Sequence, residues 1–544
     1  VDLIKFQKSL YKKSLNNSSI KFDNLFNLIC RKDILTEAYR QVSSNKGANT
    51  AGIDKVKTQH ISSVSVSEFI DKLAFELKNG EFKPLPVKEV LIPKPKGGKR
   101  PLGIPAVKDR IVQAAIKCIL EPIFEGTFSK YSFGFRPKKN THQCMKLISN
   151  VTNNSSKMFY VIEGDIKSYF TSVNHSILLT FIRAKVQDKK LINLIRKFLK
   201  AGLMRKQLFV QTKEGVPQGG ILSPLLANIY LNEIDKYFEN KYLDKSSLER
   251  RNNRRNGIGN VVYTRYADDF VLLTNGSIDQ AQGLLEECRQ EMDRLKLTLS
   301  KKKTIITHVN KGFQFLGFQF KRSEGQKQKI MKVTVPKESI KKFKGKINAC
   351  FDKSSQNRDI IGSIQAANRI IKGWGNYYKY CNSAKSIFNK LDSYIFEKCV
   401  DFVCRKHRKS TKQILSKQFK NGIEWEGYSL HKLQDLECGF YHKTIFSNYE
   451  PSKKGISESL IPDLNTYWVG NQSRGKDWTT IRLQVLERDC NQCQDCNKEI
   501  TLNNSNVHHI KHYSKFRDNT QANQLSNLVA LCITCHIKRH AKTE

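Results

Sequence analysis

The chain has 544 residues, too many for one domain and enough for three or four of roughly 150 residues each. Its 94 Lys and Arg residues against 50 Asp and Glu leave a formal charge of +44, and 39% hydrophobic residues suffice to fill real cores. Such an excess implies a polyanionic partner, because every phosphate neutralised releases counterions; the alternative is a merely solvated basic surface.

No run of 18 or more apolar residues occurs, so no membrane span is expected. The first residues, Val1 to Phe6, lack the apolar core of a secretion signal. Fourteen cysteines at scattered spacings do not make a secreted disulfide framework. Four of them form C-x2-C pairs near the C-terminus, which points to a reducing compartment and a metal.

In chain order, the first ~90 residues read as helices interrupted by a Gly/Asn loop from Lys46 to Gly52. Val87 to Ile92 alternates like a strand and runs into a basic turn, Pro93 to Arg100. From there to about residue 325, β-branched runs alternate with helical stretches, an α+β pattern. Asp109 to Leu120 is a predicted helix with Ile111, Ala114 or Ala115, Cys118 and Ile119 on one face.

Phe159 to Ile166 is an apolar strand ending in Asp165. Val261 to Thr274 is two apolar strands around a tight polar turn that carries Asp268 and Asp269. Adjacent carboxylates at a hairpin tip repel each other and should not persist without cations. A divalent-metal site is the natural use, with Asp165 as third carboxylate, because phosphoryl transfer to a 3′-hydroxyl uses two metals about 4 Å apart. The bland alternative is a solvated loop.

After Pro336 the texture becomes all-helical. Ile340, Phe343, Ile347 and Cys350 make one apolar stripe, with Lys341, Lys342, Lys344 and Lys346 on the other faces. Ile361, Ile364, Ala367 and Ile371 make a second stripe, and a third helix follows Lys385. Residues 425–475 look irregular: a linker, a small accessory module or a DNA-binding region. From Lys476 a compact Cys/His-rich unit follows. Cys493-x2-Cys496 and Cys532-x2-Cys535, with 35 residues between them, suit a closed, structural zinc site of four thiolates. Cys490 also stands in C-x2-C relation to Cys493, but the spacing from Arg488-Asp489 favours the pair 493/496.

Tyr266-Ala267-Asp268-Asp269 resembles the palm motif of reverse transcriptases, and the Asp165 strand resembles its companion. Gly215 to Pro224 resembles their Pro-Gln-Gly motif. Phe313 to Phe318 resembles the primer-gripping hairpin, with Leu299-Ser300 and Lys303-Thr304 before it. Gly47 to Asp54 and Tyr131 to Pro137 are similar to segments of the group II intron branch of that family. Gly373-Trp374-Gly375-Asn376-Tyr377-Tyr378 resembles its thumb, domain X. The resemblance spans about 47–320 in family order, and domain X beyond it.

The resemblance implies two Mg²⁺ ions on Asp165, Ile166, Asp268 and Asp269, with the three aspartates catalytic. Gln218 would lie against the incoming nucleotide, and Lys94 and Arg100 would grip the triphosphate, with Lys96 and Lys99 as substitutes. Phe170 would sit under the sugar and reject a 2′-hydroxyl, or is a plain core aromatic. Lys341, Lys344, Trp374 and Tyr377 would bind RNA by charge and stacking, unless the rings are the bundle's core.

The C-terminal unit resembles HNH nucleases, which need a neutral imidazole to deprotonate water and one divalent ion. His509 would be the general base, and His508 and His540 the metal ligands with His536 a rival. Asn527 would brace the loop that orients His509. His508 stands where many such proteins carry Asp. A plain zinc-knuckle DNA-binding module is the alternative.

The implied architecture is a multidomain α+β chain with right-hand-like fingers and palm, a helical thumb and a zinc-stapled ββα-metal domain. Residues 1–90 would be an N-terminal extension and the start of the fingers, 91–330 fingers and palm, 331–424 the thumb, 425–475 the linker or DNA-binding region and 476–544 the nuclease. The implied function is maturase, RNA-directed DNA polymerase and target-DNA endonuclease, moving an intron by target-primed copying. Its partners would be group II intron RNA, target DNA and deoxynucleoside triphosphates, in bacterial cytoplasm or an organelle matrix and not secreted. Two rivals are another retroelement polymerase and an RNA-binding splicing factor with relic enzyme sites. The intron-type segments speak against the first, and the intact carboxylates and nuclease histidines against the second.

Overall fold

The structure is a computed structural model. It describes residues 3–93, 97–153, 158–205, 208–211, 214–301, 303–322, 330–352, 359–417, 419, 423–451, 468–469, 478–501, 505–510 and 519–541. Lys94 and Lys96, and the side chain of His540, lie outside the described set.

A four-stranded antiparallel sheet organises the middle of the chain, in the order Val261–Tyr266, Asp269–Thr274, Tyr160–Asp165, Ile305–His308. Its central strands read as continuous apolar runs because both faces are covered. Helix Thr141–Asn153 and helix Ser223–Phe238 pack on strand Val261–Tyr266, and helix Ile278–Arg294 packs on Tyr160–Asp165. One close approach has a sequence cause: a Cβ on Gly164 would lie 2.1 Å from the ring of Phe270, its partner across the ladder.

A second sheet, in the order Lys99–Ile104, Val87–Pro93, Leu203–Arg205, Leu208–Val210, contains the predicted strand and extends it by one residue. Helix Val107–Glu125, longer than the predicted helix, packs against the N-terminal helices Leu3–Asn16 and Lys32–Ser43. It is buried on nearly every side rather than along one face, so Asp109, Arg110 and Gln113 are sealed in with the aliphatics. The N-terminal helices Leu3–Asn16, Leu25–Ile29, Lys32–Ser43, Thr58–Val64 and Val66–Lys78 join the same core.

A three-stranded meander, Phe313–Phe315, Phe318–Arg322 and Met331–Thr334, leads into helices Lys337–Phe351, Ile360–Tyr378, Ala384–His407 and Thr411–Lys417. Phe343, Ile347 and Cys350 are buried as their spacing predicts, with Ile340 half-buried. On the second helix Ile360, not Ile361, starts the buried stripe. The irregular residues 423–451 return across the molecule: Leu433 packs against the bundle, while Tyr441 bonds Asn140 and Ser447 accepts from Gln143.

The C-terminal unit has a separate core built on Val485, Leu486, Ile500, Val507 and Leu528 to Cys532. Its hairpin pairs Ser505–His509 with Leu528–Cys532 and runs into helix Ile533–Ala541. Mixed α/β organisation in several units is therefore as the sequence predicts. Among the described residues, no helix is long and apolar enough to cross a membrane.

Candidate active sites

Strand pairing builds the carboxylate cluster. Asp165 ends its strand directly opposite Asp269, which starts the returning strand of the neighbouring hairpin. Directly opposed residues share a face with Cβ atoms about 5 Å apart. Asp268 sits in the turn one residue earlier. Partial burial, reinforced by the Asp268 and Asp165 carboxylates, pushes the pKa of Asp269 up to about 6 against the lowering pull of Lys303. The Nζ of Lys303 lies 2.8 Å from Asp165 Oδ1. Asp165, Asp268 and Asp269 stand at one end of the sheet, where the exposed Lys303 ammonium pairs with Asp165; carboxylate oxygens are the donors hard divalent cations prefer. Ile166 has only its backbone carbonyl to offer, and it bridges Leu299.

The turn is held from inside by residues that the sequence reading missed. Ala267 has φ +60°, a left-handed conformation unusual for alanine. Arg265, 1% exposed, donates to the Ala267 carbonyl at 2.7 Å, to Asn228 Oδ1 at 2.9 Å and through Nε to Asp235 Oδ1 at 2.7 Å. Asn228 in turn donates to the Gly134 carbonyl at 2.9 Å. A Cβ on Gly134 would meet the Ala267 nitrogen at 2.1 Å, so the 131–134 segment lies flat on the turn only because residue 134 is glycine. One signal was available: Asn228, Asn232 and Asp235 form a stripe of polar residues at helical spacing, buried among the apolar residues of their helix.

The loop before helix Ser223–Phe238 meets the second sheet at Gln218. Its side-chain oxygen accepts from Arg100 Nε at 2.9 Å, and its carbonyl accepts from Gly103 N at 2.5 Å. A cleft opens beside this contact, lined in part by Pro101, Gly103, Leu203, Arg205 and Pro217. Lys99 and Arg100 are exposed at the sheet's edge. Phe170 is buried, edge-on to Phe135 at 6.5 Å, and its carbonyl accepts from Val216 at 2.7 Å. The ring is thus core-packed, and its backbone is tied to the loop that carries Gln218.

In the helical bundle the two ring alternatives separate. Trp374 stands against Phe343 at 4.5 Å and donates to Ser339, while Tyr377 stacks on Phe318 at 5.0 Å and donates to the Leu316 carbonyl at 2.6 Å. Trp374 thus packs inside the bundle and Tyr377 seats the bundle on the Phe313–Phe318 hairpin, the packing that the core alternative describes, with both rings half-buried. Lys341 is exposed, and Lys344 lies over the Tyr394 ring at 4.5 Å.

In the C-terminal unit the sulfurs of Cys493, Cys496, Cys532 and Cys535 all lie within 4.8 Å of one another. Cys496 Sγ to Cys532 Sγ is 3.7 Å, close to the ~3.8 Å edge of a tetrahedron with 2.3 Å zinc–sulfur bonds. The cluster fits zinc, and Cys490, exposed and outside it, is resolved as the non-ligand.

His508 and His509 alternate on the strand beside the cluster. The His508 ring meets His536 edge-on at 5.4 Å. His509 stacks on Trp478 at 5.5 Å, and its Nε2 lies 3.0 Å from Oδ1 of Asn523, a residue the sequence reading did not single out. Asn527 accepts from Ile510 N at 2.8 Å and donates to the Ala522 carbonyl at 2.9 Å, a brace next to His509.

Three family models match in chain order: reverse transcriptase (RNA-dependent DNA polymerase) over 92–320, the group II intron maturase-specific domain over 340–419 and HNH endonuclease over 493–542. Among curated relatives, group II intron-encoded protein LtrA of Lactococcus lactis subsp. cremoris is 32% identical, with 96% of this chain and 97% of that protein covered. Protein YkfC of Escherichia coli is 37% identical over 65% of this chain and 98% of its own length. An uncharacterized 91 kDa protein in the cob intron of Schizosaccharomyces pombe is 28% identical over 98% of this chain and 72% of its own. Opposed aspartates on a central hairpin, a maturase-type helical bundle and a histidine hairpin stapled by four cysteines thus occur in one chain, and that chain belongs to the group II intron-encoded proteins, with reverse transcriptase, maturase and HNH endonuclease activities.

Proposed function

We propose that the two sheets and the bundle work as fingers, palm and thumb around a primer–template, with Asp165, Asp268, Asp269 and the Ile166 carbonyl as the cation ligands of the palm. The observation that carries this reading is the register pairing of Asp165 with Asp269 beside Asp268. Two Mg²⁺ ions, when bound, would lower the pKa of the primer 3′-hydroxyl and neutralise charge on the triphosphate. Lys303 compensates Asp165 meanwhile and exchanges partners when cations arrive. Arg100 faces the triphosphate as a fixed positive charge, and its bond to Gln218 aligns the side chain against the nucleotide. Lys94, from the basic segment that precedes Arg100 in sequence, completes this grip. Phe170 supports the sugar floor from below.

The nuclease reading assigns the base to His509. With Nε2 donating to Asn523, the lone pair is left on Nδ1, the atom that takes the proton from water. His508 and His540, with His536 as alternative, would hold the single divalent ion that stabilises the leaving oxygen. Zinc on the four cysteines is structural. In this scheme the chain binds intron RNA through the lysine faces of the bundle, Lys341 and Lys344 among them, cuts a target DNA strand and extends its 3′ end along the RNA. Residues 425–475 would add DNA contacts, and a reducing cytoplasm or organelle matrix suits the thiols. The test is one reconstituted reaction with intron RNA, target DNA, Mg²⁺ and deoxynucleoside triphosphates. Nicked target carrying intron cDNA is expected; nicking without extension, or extension only from a supplied primer, would break the coupled scheme.

A further inference from the structure

Helix Ser247–Arg255 buries no residue, unlike helices Ser223–Phe238 and Ile278–Arg294 on either side of it in the chain. Residues 245–257 hold Lys245, Arg250, Arg251, Arg254 and Arg255 against a single acid, Glu249. The hydrophobic effect gives this segment no reason to be helical, and isolated helices of this length do not persist in water. Polar contacts hold it instead. Ser246 and Glu249 form a capping box. Arg250 donates to the carbonyls of Leu243 at 2.6 Å and Lys245 at 3.1 Å. Asn260 donates to the Arg250 carbonyl at 2.9 Å, and Asn253 donates to Asn260 at 3.2 Å. Gln280 closes the far end on the Gly257 carbonyl at 2.9 Å.

One arginine is therefore committed inward, and three are not. Arg251, Arg254 and Arg255 are exposed and, among the described residues, make no side-chain hydrogen bond or ion pair. Their i, i+3, i+4 spacing puts them on one face, about 5–6 Å apart. Leu248, 64% exposed, lies one turn before Arg251 and two before Arg255 on that face. Three guanidiniums on a rigid, outward helix make a fixed set of forks suited to phosphate oxygens.

Position tells which phosphates. The helix is anchored at Asn260, which pairs with Asn275 at the end of the hairpin remote from Asp268 and Asp269. Six residues of strand separate that end from the carboxylates, roughly 17–20 Å. A nucleic acid on this face is not the stretch being copied.

We infer that Arg251, Arg254 and Arg255 form a second nucleic-acid surface, behind the catalytic hairpin, that grips the backbone of folded intron RNA outside the copying cleft. The inference rests on the maturase reading, in which folded intron RNA lies against the chain outside the copying cleft. Charge complementarity selects the occupant, and a helix with no aromatic residue suits duplex backbone rather than splayed bases.

The test uses the full-length chain with Arg251→Gln, Arg254→Gln and Arg255→Gln combined. The probes are a folded group II intron transcript, a random-sequence RNA of equal length, a DNA duplex and poly(rA)/oligo(dT). Because the helix buries nothing, thermal unfolding should not move. The plot of log affinity against log salt for the intron transcript should become shallower by about 2–3, one phosphate contact being worth about 0.9. Copying of poly(rA)/oligo(dT) should be unchanged. An unchanged salt slope overturns the inference, as does a parallel fall in poly(rA) copying or a loss confined to the DNA duplex. If the unaltered chain binds intron transcript no better than random RNA, the maturase reading fails first, and is distinguished by that comparison.

Discussion

Arg265 donates to the carbonyl of Ala267 at 2.7 Å from within the central sheet, so a sealed guanidinium holds the turn on which Asp268 stands. The same side chain is locked to Asp235, whose second neighbour is the Tyr263 hydroxyl at 2.7 Å. A cation, a left-handed alanine and a carboxylate cluster are thereby one rigid unit.

Replacing Arg265 by Met leaves Asp235 buried without its partner, which should cost about 3–5 kcal/mol of stability. Arg265→Lys keeps a charge but cannot reach Asp235, Asn228 and Ala267 together. Denaturant unfolding should show a smaller loss for Lys than for Met, with DNA synthesis impaired in both. Full polymerase activity in Arg265→Lys would mean that the turn holds itself.

Asp269→Ala removes one of two directly opposed carboxylates. Mg²⁺-dependent DNA synthesis on an RNA template should fall at least about a hundredfold. Binding of intron RNA should stay within error, because it does not use this oxygen. Primer extension and filter binding on the same preparation separate the two.

Asp109 tests the buried helix. Desolvation by burial, opposed by the Leu85 N–H and nearby cations, pushes its pKa up to about 7. Its folded pKa lies above its ordinary value, so the fold holds a proton that the unfolded chain releases. Stability from this residue is present at low pH and lost as pH rises from about 4 through about 7. Asp109→Asn imitates the neutral form, and Asn can still accept from Leu85. The variant should match the parent near pH 3 and exceed it near pH 8 by about 4 kcal/mol in urea unfolding. A constant difference across that range would assign Asp109 no titration.

Phe170→Ala asks whether the ring only packs or also gates. It should raise incorporation of ribonucleotides relative to deoxyribonucleotides, measured as a ratio of kcat/KM on one template. Lower stability with an unmoved ratio would leave Phe170 a packing residue.

The C-terminal unit should fail in two separable ways. Cys532→Ser opens the tetrahedral cluster, so zinc content and target cleavage should fall together. His509→Ala should abolish cleavage with zinc retained, and both variants should still extend a supplied primer because the unit has a core of its own. Metal analysis beside a nicking assay reads both, and unimpaired nicking by His509→Ala would move the base elsewhere.

Local chemistry was legible along the chain because it depends on neighbours in sequence. Alternation around Tyr266 to Asp269 announced a hairpin with acids at its tip, the stripe of Phe343, Ile347 and Cys350 announced a helix, and C-x2-C spacing announced a four-thiolate cluster. Choices between equivalent local patterns needed the third dimension. Cys490 and Cys496 stand at the same spacing from Cys493, and only chain geometry brings Cys496 to the knuckle 36 residues later. Trp374 and Tyr377 sit on one helix with solvent or protein open to them, and the structure packs Trp374 on Phe343 of the bundle and Tyr377 on Phe318 of the hairpin. Asp235 holds Arg265 across 30 residues, and Asn523 meets His509 across 14, pairings that spacing along the chain does not specify. Composition and spacing thus determined which chemistry the chain carries. Tertiary structure decided which polar side chains hold that chemistry in place, because a buried hydrogen bond is set by where two segments meet.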